Sequence, residues 1–539
     1  MDDQQSQGIP LEPLVQGTLS VPPNMPKPSQ PMQETIIVPS SMPPGGGISF
    51  DIGSGSDRGN EPPVPPPPPP ESTPSPTPDN PFIPQVVVPT APGGSPPHHG
   101  GSALPRRLLM VVVFLFLAVG LFFGGRVLLG IFFGSKEVAL SYWGLWENDT
   151  TVRSVIAAFE SANPKIKISY IKQSPRQYRE RLTAAISRGE GPDLFRFHNT
   201  WVPMLRDALA PVPKTVMTPS EFSSTFYPIA TNDLVADATI YGIPLMIEGL
   251  GLYINEDLFA KAGVAVPATW EDVLNIVPKL TVKSDATITT SAIALGTTGN
   301  VENWSDILAT MMMQNGANLS NPVTKEAEET LVFYRKFADP TDPMYTWNDT
   351  LDNSVYAFAI GKVAMTIAPS WRAFDIKQMN PDLRFKIVPI PQLPGSTVTW
   401  GSYWVEGVSA KSKNQEAAWK FLQYLSSREV LTKFYTEAAK TRLFGEIYAR
   451  VDLANSVEND PYVGAFVQQA KTAKSFPLAS RTFDNGINDK MIKYMEDAIN
   501  GLSQGSAPSA VLQTAASGFR QVLTTYGLTT GAAPPAPKP

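Results

Sequence analysis

An apolar run from Leu108 to Gly125 lies far from the N-terminus, directly behind Arg106 and Arg107. A helix of ~17–25 apolar residues is what a hydrocarbon core requires, so this run places the segments before and after it on opposite sides of a membrane. The apolar stretch resumes after Arg126 and ends near Phe133, and Arg126 is expected to snorkel toward the far headgroups. Two arginines flank the N-side, whereas Lys136 and Glu137 offset each other on the C-side. The positive-inside bias therefore leaves the N-terminus cytoplasmic and the remainder extracellular or periplasmic. A cleaved signal peptide would carry its basic region within the first few residues. The expectation is an uncleaved, single-pass signal anchor over residues 106–134 of a cell-membrane protein.

Residues 1–105 are compositionally separate: they hold much of the proline, including the unbroken run Pro65–Pro70, and no tryptophan. Such a segment buries too little apolar surface to offset its ordering entropy, so a disordered cytoplasmic tail with local polyproline II character is expected. It is a spacer, or a docking tract for a proline-binding partner. Residues 531–539 read as a second disordered terminus. With 43 basic and 49 acidic residues, the charge balance gives no argument for nucleic acid. Cysteine is absent, which removes disulfides, thiol nucleophiles, cysteine metal sites and a lipid-anchored cysteine. Of the three histidines, His98 and His99 fall in the tail, so a zinc site or a Ser-His-Asp triad would rest on His198 alone. No metal and no cofactor are expected.

The stretch from Glu137 onward is too long for one core, so two lobes are expected. Glu137–Tyr142 reads as a strand. A helix capped near Asp149 or Thr150 follows, with Val152, Val155, Ile156 and Phe159 at helical spacing. Ile166, Ile168 and Tyr170 alternate as a strand does. Tyr178, Leu182 and Ile186 mark a second helix, and Gly191-Pro192 breaks before a strand at Asp193–Phe197. This succession builds a parallel sheet with right-handed crossovers. Thr269-Trp270-Glu271-Asp272 has a capping-box pattern, and Ala418, Phe421, Leu422 and Leu425 form one helix stripe. Trp270 and Trp419 fall on these buried faces.

Four segments resemble the extracellular solute-binding proteins of ABC importers, of the sugar-binding, maltodextrin-like type. They are Gly189-Glu190-Gly191-Pro192-Asp193-Leu194-Phe195; Tyr241-Gly242-Ile243-Pro244 through Leu252-Tyr253-Ile254-Asn255-Glu256-Asp257-Leu258-Phe259, with Pro267-Ala268-Thr269-Trp270; Phe358 to Met365 with Pro369-Ser370-Trp371; and Val408 to Asn414 with Glu416-Ala417-Ala418-Trp419. The resemblance does not reach the tail or the apolar run. It implies an α/β, two-lobe periplasmic-binding-protein (Venus-flytrap) fold over residues 137–530, here preceded by the tail and one transmembrane helix. Lobe 1 would comprise about 137–245 and 408–450, and lobe 2 about 250–402 and 455–530. Hinge crossings would fall near Pro244–Leu252, near Tyr403–Val408 and around residues 445–460.

A sugar needs hydrogen-bonding partners for its hydroxyls and flat apolar partners for its C–H faces. Trp143, Trp146, Glu147 and Asn148 follow the first strand, Asn199, Thr200 and Trp201 the third. By the resemblance, Glu248 aligns with a sugar-contacting carboxylate, Trp371 with a stacking tryptophan and Trp304 with second-lobe aromatics. Tyr403 and Trp404 would lie on a hinge strand beside the cleft, and Arg481 and Phe483 on a late loop that returns to the ligand. The ligand-binding set is Trp143, Glu147, Asn199, Trp201, Glu248, Trp304, Trp371, Tyr403, Trp404 and Arg481, while Trp347 and Trp400 read as surface or packing. Arg196 and Arg372 have the charge to hold an anionic group, although ion pairing is the commoner use.

The resulting expectation is a non-enzymatic, monomeric receptor that binds a neutral carbohydrate for import and docks on ABC permease subunits. A sensory receptor of the same fold, signalling through the tail, is the alternative, as is another solute such as a polyol phosphate or a polyamine. A hydrolase with Glu147 and Glu248 paired across a cleft has no supporting motif.

Overall fold

The computed structural model describes residues 137–528. The tail, the apolar run expected to span a membrane and residues 529–539 lie outside the described residues; among the described residues no helix is long and apolar enough to cross a membrane.

The alternation of apolar and polar residues after Glu137 produces β1 (Val138–Gly144), β2 (Ile166–Lys172) and β3 (Leu194–His198), with β1 parallel to both neighbours. Between them, helix Asp149–Ala162 buries Val152, Val155, Ile156 and Phe159, and helix Tyr178–Arg188 buries Tyr178, Leu182, Ala185 and Ile186. The second helix stops at Gly189, whose φ of +76° is the left-handed conformation that glycine adopts without a Cβ clash. Two strands from far along the chain complete this sheet. They are β6 (Ile243–Pro244) and β13 (Trp404–Val408), in the order β2-β1-β3-β13-β6. β13 is antiparallel to β3 and sets Glu406 opposite Arg196.

The second sheet is built from β7 (Gly251–Asn255), β8 (Val282–Ser284), β9 (Thr287–Ile293), β10 (Val363–Ala368) and β11 (Phe385–Val388), in the order β11-β7-β10-β9-β8. Every residue of β10 is buried, as suits a central strand covered on both faces. Helix Trp270–Leu280 opens with the expected box: the Thr269 side chain accepts from the Asp272 N–H and the Asp272 carboxylate from the Thr269 N–H. Trp270 and Trp419 are 3% and 2% exposed, and Trp347 and Trp400 are equally buried. Helices Ile487–Ser503 and Pro508–Thr525 pack on each other and on helix Lys325–Lys336 of the second half. Two short pairs remain, β4 (Val235–Ala236) with β5 (Thr239–Ile240), and β12 (Thr399–Trp400) with β14 (Ala473–Lys474).

The chain passes from the first sheet to the second through residues 245–250 and returns through 389–403. The return crossing therefore ends at Tyr403, and residues 404–408, expected within the hinge, are an interior strand of the first sheet. The crossings are laced together by backbone. Ser402 donates its N–H to the Glu248 carbonyl (3.0 Å), Ile247 to Ile447 (2.9 Å) and Gly401 to Lys474 (2.9 Å), with Met246 bridged to Tyr448 and Gly249 to Gly401. A Cβ on Gly249 would sit 2.5 Å from the Trp400 carbonyl oxygen, so a side chain there is incompatible with this approach.

Candidate ligand site at the hinge

Glu248 lies on the first crossing and is half-buried. Its Oε1 accepts from the N–H of Gly249 (2.9 Å) and of Ser370 (3.2 Å), and its Oε2 accepts from the Ser370 hydroxyl. Ser370 follows β10 and is itself positioned by Tyr253, whose hydroxyl donates to the carbonyls of Pro369 (2.7 Å) and Ser370 (3.1 Å). The next residue is Trp371, the cap of helix Arg372–Met379. An acid from the hinge and a half-buried indole from the second half are thus fixed one residue apart. Burial pushes the Glu248 carboxyl up to about 7, against the three hydrogen bonds that favour its ionised form, and the nearby charge of Glu446 adds to the rise.

Trp371 is not bare. The guanidinium carbon of Arg372 lies 4.2 Å from its ring centroid and that of Arg481 lies 5.4 Å away. Both arginines pair with the same Glu302 oxygen, and Arg372 also reaches Asp375 at 2.7 Å. Trp304, half-buried, begins the helix two residues after Glu302, and Asn303 donates to the Ser480 hydroxyl at 2.7 Å. Glu248, Trp371 and Arg481 are therefore linked through Ser370 and Glu302, and Trp304 follows Glu302 along the chain.

A second aromatic group sits at the end of the first sheet. Trp404 makes edge contacts with His198 (5.2 Å), Trp201 (5.3 Å) and Trp146 (5.5 Å). Trp201 is sealed at 0% exposure and presents no face to a solute in this conformation, whereas Trp146 is 39% exposed and Trp404 half-buried. His198 contacts the hydroxyls of Thr200 (2.8 Å) and Ser402 (3.0 Å), and burial lowers its pKa to about 3, so the imidazole is neutral. Trp143, half-buried, packs against the core.

Three residues of the expected set are engaged within the protein. Asn199 donates its Nδ2 to Asp233 Oδ2 (2.8 Å), and the Tyr403 hydroxyl donates to the same oxygen (2.8 Å) while Ser475 holds the other. Burial raises the Asp233 carboxyl above its ordinary value. Glu147 pairs with Arg196, which also donates its Nε to Glu406 Oε1 at 2.7 Å, and the side chains of Glu147, Arg196 and Glu406 are 4%, 3% and 1% exposed. Asp233 was not legible as a partner, because nothing in its local sequence brings it to Tyr403, 170 residues away. Trp146, not Trp143, is the exposed indole after β1. The strand alternation gave no such signal, since Trp146 shares the parity of the inward Tyr142 and Gly144 and is exposed because the strand has ended before it. Among the described residues no group of three or more His, Asp or Glu is placed to hold a metal ion.

Residues 154–461 match a family described as bacterial extracellular solute-binding protein. The "multiple sugar-binding protein" of Streptococcus mutans is 24% identical over 306 residues, covering 54% of this chain and 71% of that protein. The sugar-binding protein MalE of Xanthomonas citri superposes with a TM-score of 0.60 at 20% identity, covering 72% of this chain and 98% of its own. A cyclo/maltodextrin-binding protein complexed with maltotetraose gives 0.58 at 21%, covering 72% and 97%. At these identities the solved structures establish the two-lobe α/β fold.

Proposed function

The chain belongs to the bacterial extracellular solute-binding proteins, and from that membership we propose that it is the membrane-tethered, extracytoplasmic receptor of an ABC importer, taking a sugar or oligosaccharide between its two lobes. The observation that carries the reading is the convergence of Glu248 and Trp371 through Ser370 at the hinge. One supplies a hydroxyl acceptor and the other a flat apolar face, the two surfaces that a pyranose needs. Covering ~60 Å² of ring would contribute roughly 1.5 kcal/mol, and a charged acceptor ~1.5–3 kcal/mol more. The sugar-binding names of the relatives favour the same ligand class. Trp304 and Arg481 would complete the second-lobe wall, and Trp146 with Trp404 would present the first-lobe wall.

A ligand that touches both walls binds the closed arrangement better than an open one, and that difference in affinity sets the population shift. The closed rims would then dock on the permease. Tethering rests on the Leu108–Gly125 run. A thermal-shift screen of the full-length chain against mono- and oligosaccharides tests the proposal: one or more should raise the unfolding midpoint, because a ligand specific for the folded form stabilises it. If no carbohydrate moves the midpoint while another solute does, the sugar reading fails.

A further inference from the structure

The first lobe contains a feature that a neutral sugar in the hinge site would leave unused. Arg196 is shared by Glu147 and Glu406, and all three side chains are more than nine-tenths buried. Each carboxylate spends one oxygen on the arginine; Glu147 Oε2 is buried without a hydrogen-bond partner, while the Glu406 carboxyl also has the Tyr142 hydroxyl beside it. Glu147 and Arg196 line a cavity of about 30 Å³ closed by Met246, Leu431, Tyr435 and Tyr448. That is room for one or two groups the size of water. A third carboxylate, Glu446, also lines it and is paired with Arg442 at 2.6 Å. The side chains that line the space thus include two carboxylates and one guanidinium, while Glu406 lies behind Arg196 with its carboxyl raised above the ordinary range by burial. An unpaired buried charge is costly, and an ionised carboxylate oxygen can only accept.

We propose that this cavity is a subsite for an ammonium group, which would donate to Glu147 Oε2. An ammonium matches the space, the charge sign and the acceptor-only chemistry. Met246 lies two residues before Glu248, so the cavity adjoins the hinge acid along the same crossing segment. The ammonium has two sources: a free small amine, or the amino group of an amino sugar held in the hinge site. The second rests on the sugar-receptor reading above, and the first does not.

The test uses the full-length chain. Thermal unfolding is followed in ammonium, methylammonium, potassium and tetramethylammonium chlorides at equal ionic strength. Ammonium and methylammonium should raise the midpoint above the potassium value, and tetramethylammonium, bulky and without donors, should not. Equal midpoints in ammonium and potassium would overturn the subsite. Glu147→Gln should abolish the ammonium effect. Val430→Leu, which fills the same cavity without touching a charge, should do the same and guards against misfolding of the first variant; an ammonium effect that persists in Val430→Leu overturns the proposal. Calorimetry with glucosamine against glucose then identifies the source. About tenfold tighter binding of the amine, as one charge-assisted hydrogen bond supplies, assigns it to the ligand. Equal affinities with the ammonium effect intact assign the cavity to a free amine. A sugar-screen failure with the ammonium effect intact would sink only the function proposed above.

Discussion

Glu248 makes the stability of the protein fall with rising pH in a window that can be worked out in advance. Its carboxyl is raised from 4.5 to about 7, chiefly by burial, which disfavours the ionised form in the folded state by about 3 kcal/mol. Between those two values the folded protein keeps a proton that the unfolded chain has released, so stability decreases as pH rises through the window. Above about 7 both states are ionised and the loss is complete. Asp306, raised to about 6 by burial despite hydrogen bonds from Trp400 and Ser480, acts with the same sign over a lower range. The Glu248→Gln variant separates the two, since the amide keeps the shape and an acceptor for Ser370 but does not titrate. Urea unfolding of both proteins at pH 5 and pH 8 is the assay. The wild type should lose roughly 2–3 kcal/mol more than the variant between those values, slightly less than the full shift because pH 5 already lies inside the window. Parallel losses in the two proteins would show that Glu248 is not held protonated by its surroundings, and the account of the hinge acid would be wrong.

Other outcomes follow from the same geometry. A sugar whose hydroxyl donates to Glu248 prefers the ionised acid, so affinity measured by calorimetry should rise from pH 6 to pH 8 and be flat in Glu248→Gln. Trp371→Ala should weaken sugar binding by more than about tenfold, through loss of the stacking face and of the π partner of Arg372 and Arg481; unchanged affinity removes it from the site. Asp233→Ala strands the Tyr403 hydroxyl, Asn199 and Ser475 in a buried place and should cost about 3 kcal/mol in chemical denaturation. Gly249→Ala places its Cβ against the Trp400 carbonyl; the expected result is a lower unfolding midpoint together with weaker ligand binding, and a neutral substitution would show that the two crossings are not held at this spacing.

Local rules reach as far as neighbours in sequence determine the answer. The helical stripe Val152, Val155, Ile156, Phe159 and the reciprocal bonds of Thr269 and Asp272 need nothing beyond their own turns, and both stand as read. Trp270 and Trp419 were legible as core for the same reason. The place of β13 was not, because the resemblance gives a strand near Tyr403–Val408 but no local pattern says which sheet receives it. Site residues divide along the same line. The positions of Glu248 and Trp371, on one crossing and at one strand end, were readable through motifs, and their part in ligand binding is the proposal made above. Glu147, Asn199 and Tyr403 looked equally available, yet Arg196 and Asp233 occupy them from positions that no window of sequence connects.

The insertion of β13 between β3 and β6 also governs the order in which the molecule can assemble. Arg196 and Glu406 are separated by 210 residues, whereas all five strands of the other sheet lie between Gly251 and Val388. As the chain leaves the ribosome from its N-terminus, the inner sheet has every partner at hand while the earlier-made one still lacks its fourth strand. The sheet begun first is therefore closed after the one begun second. Until then a buried-to-be guanidinium and an open sheet edge wait exposed, the kind of surface that chaperones recognise.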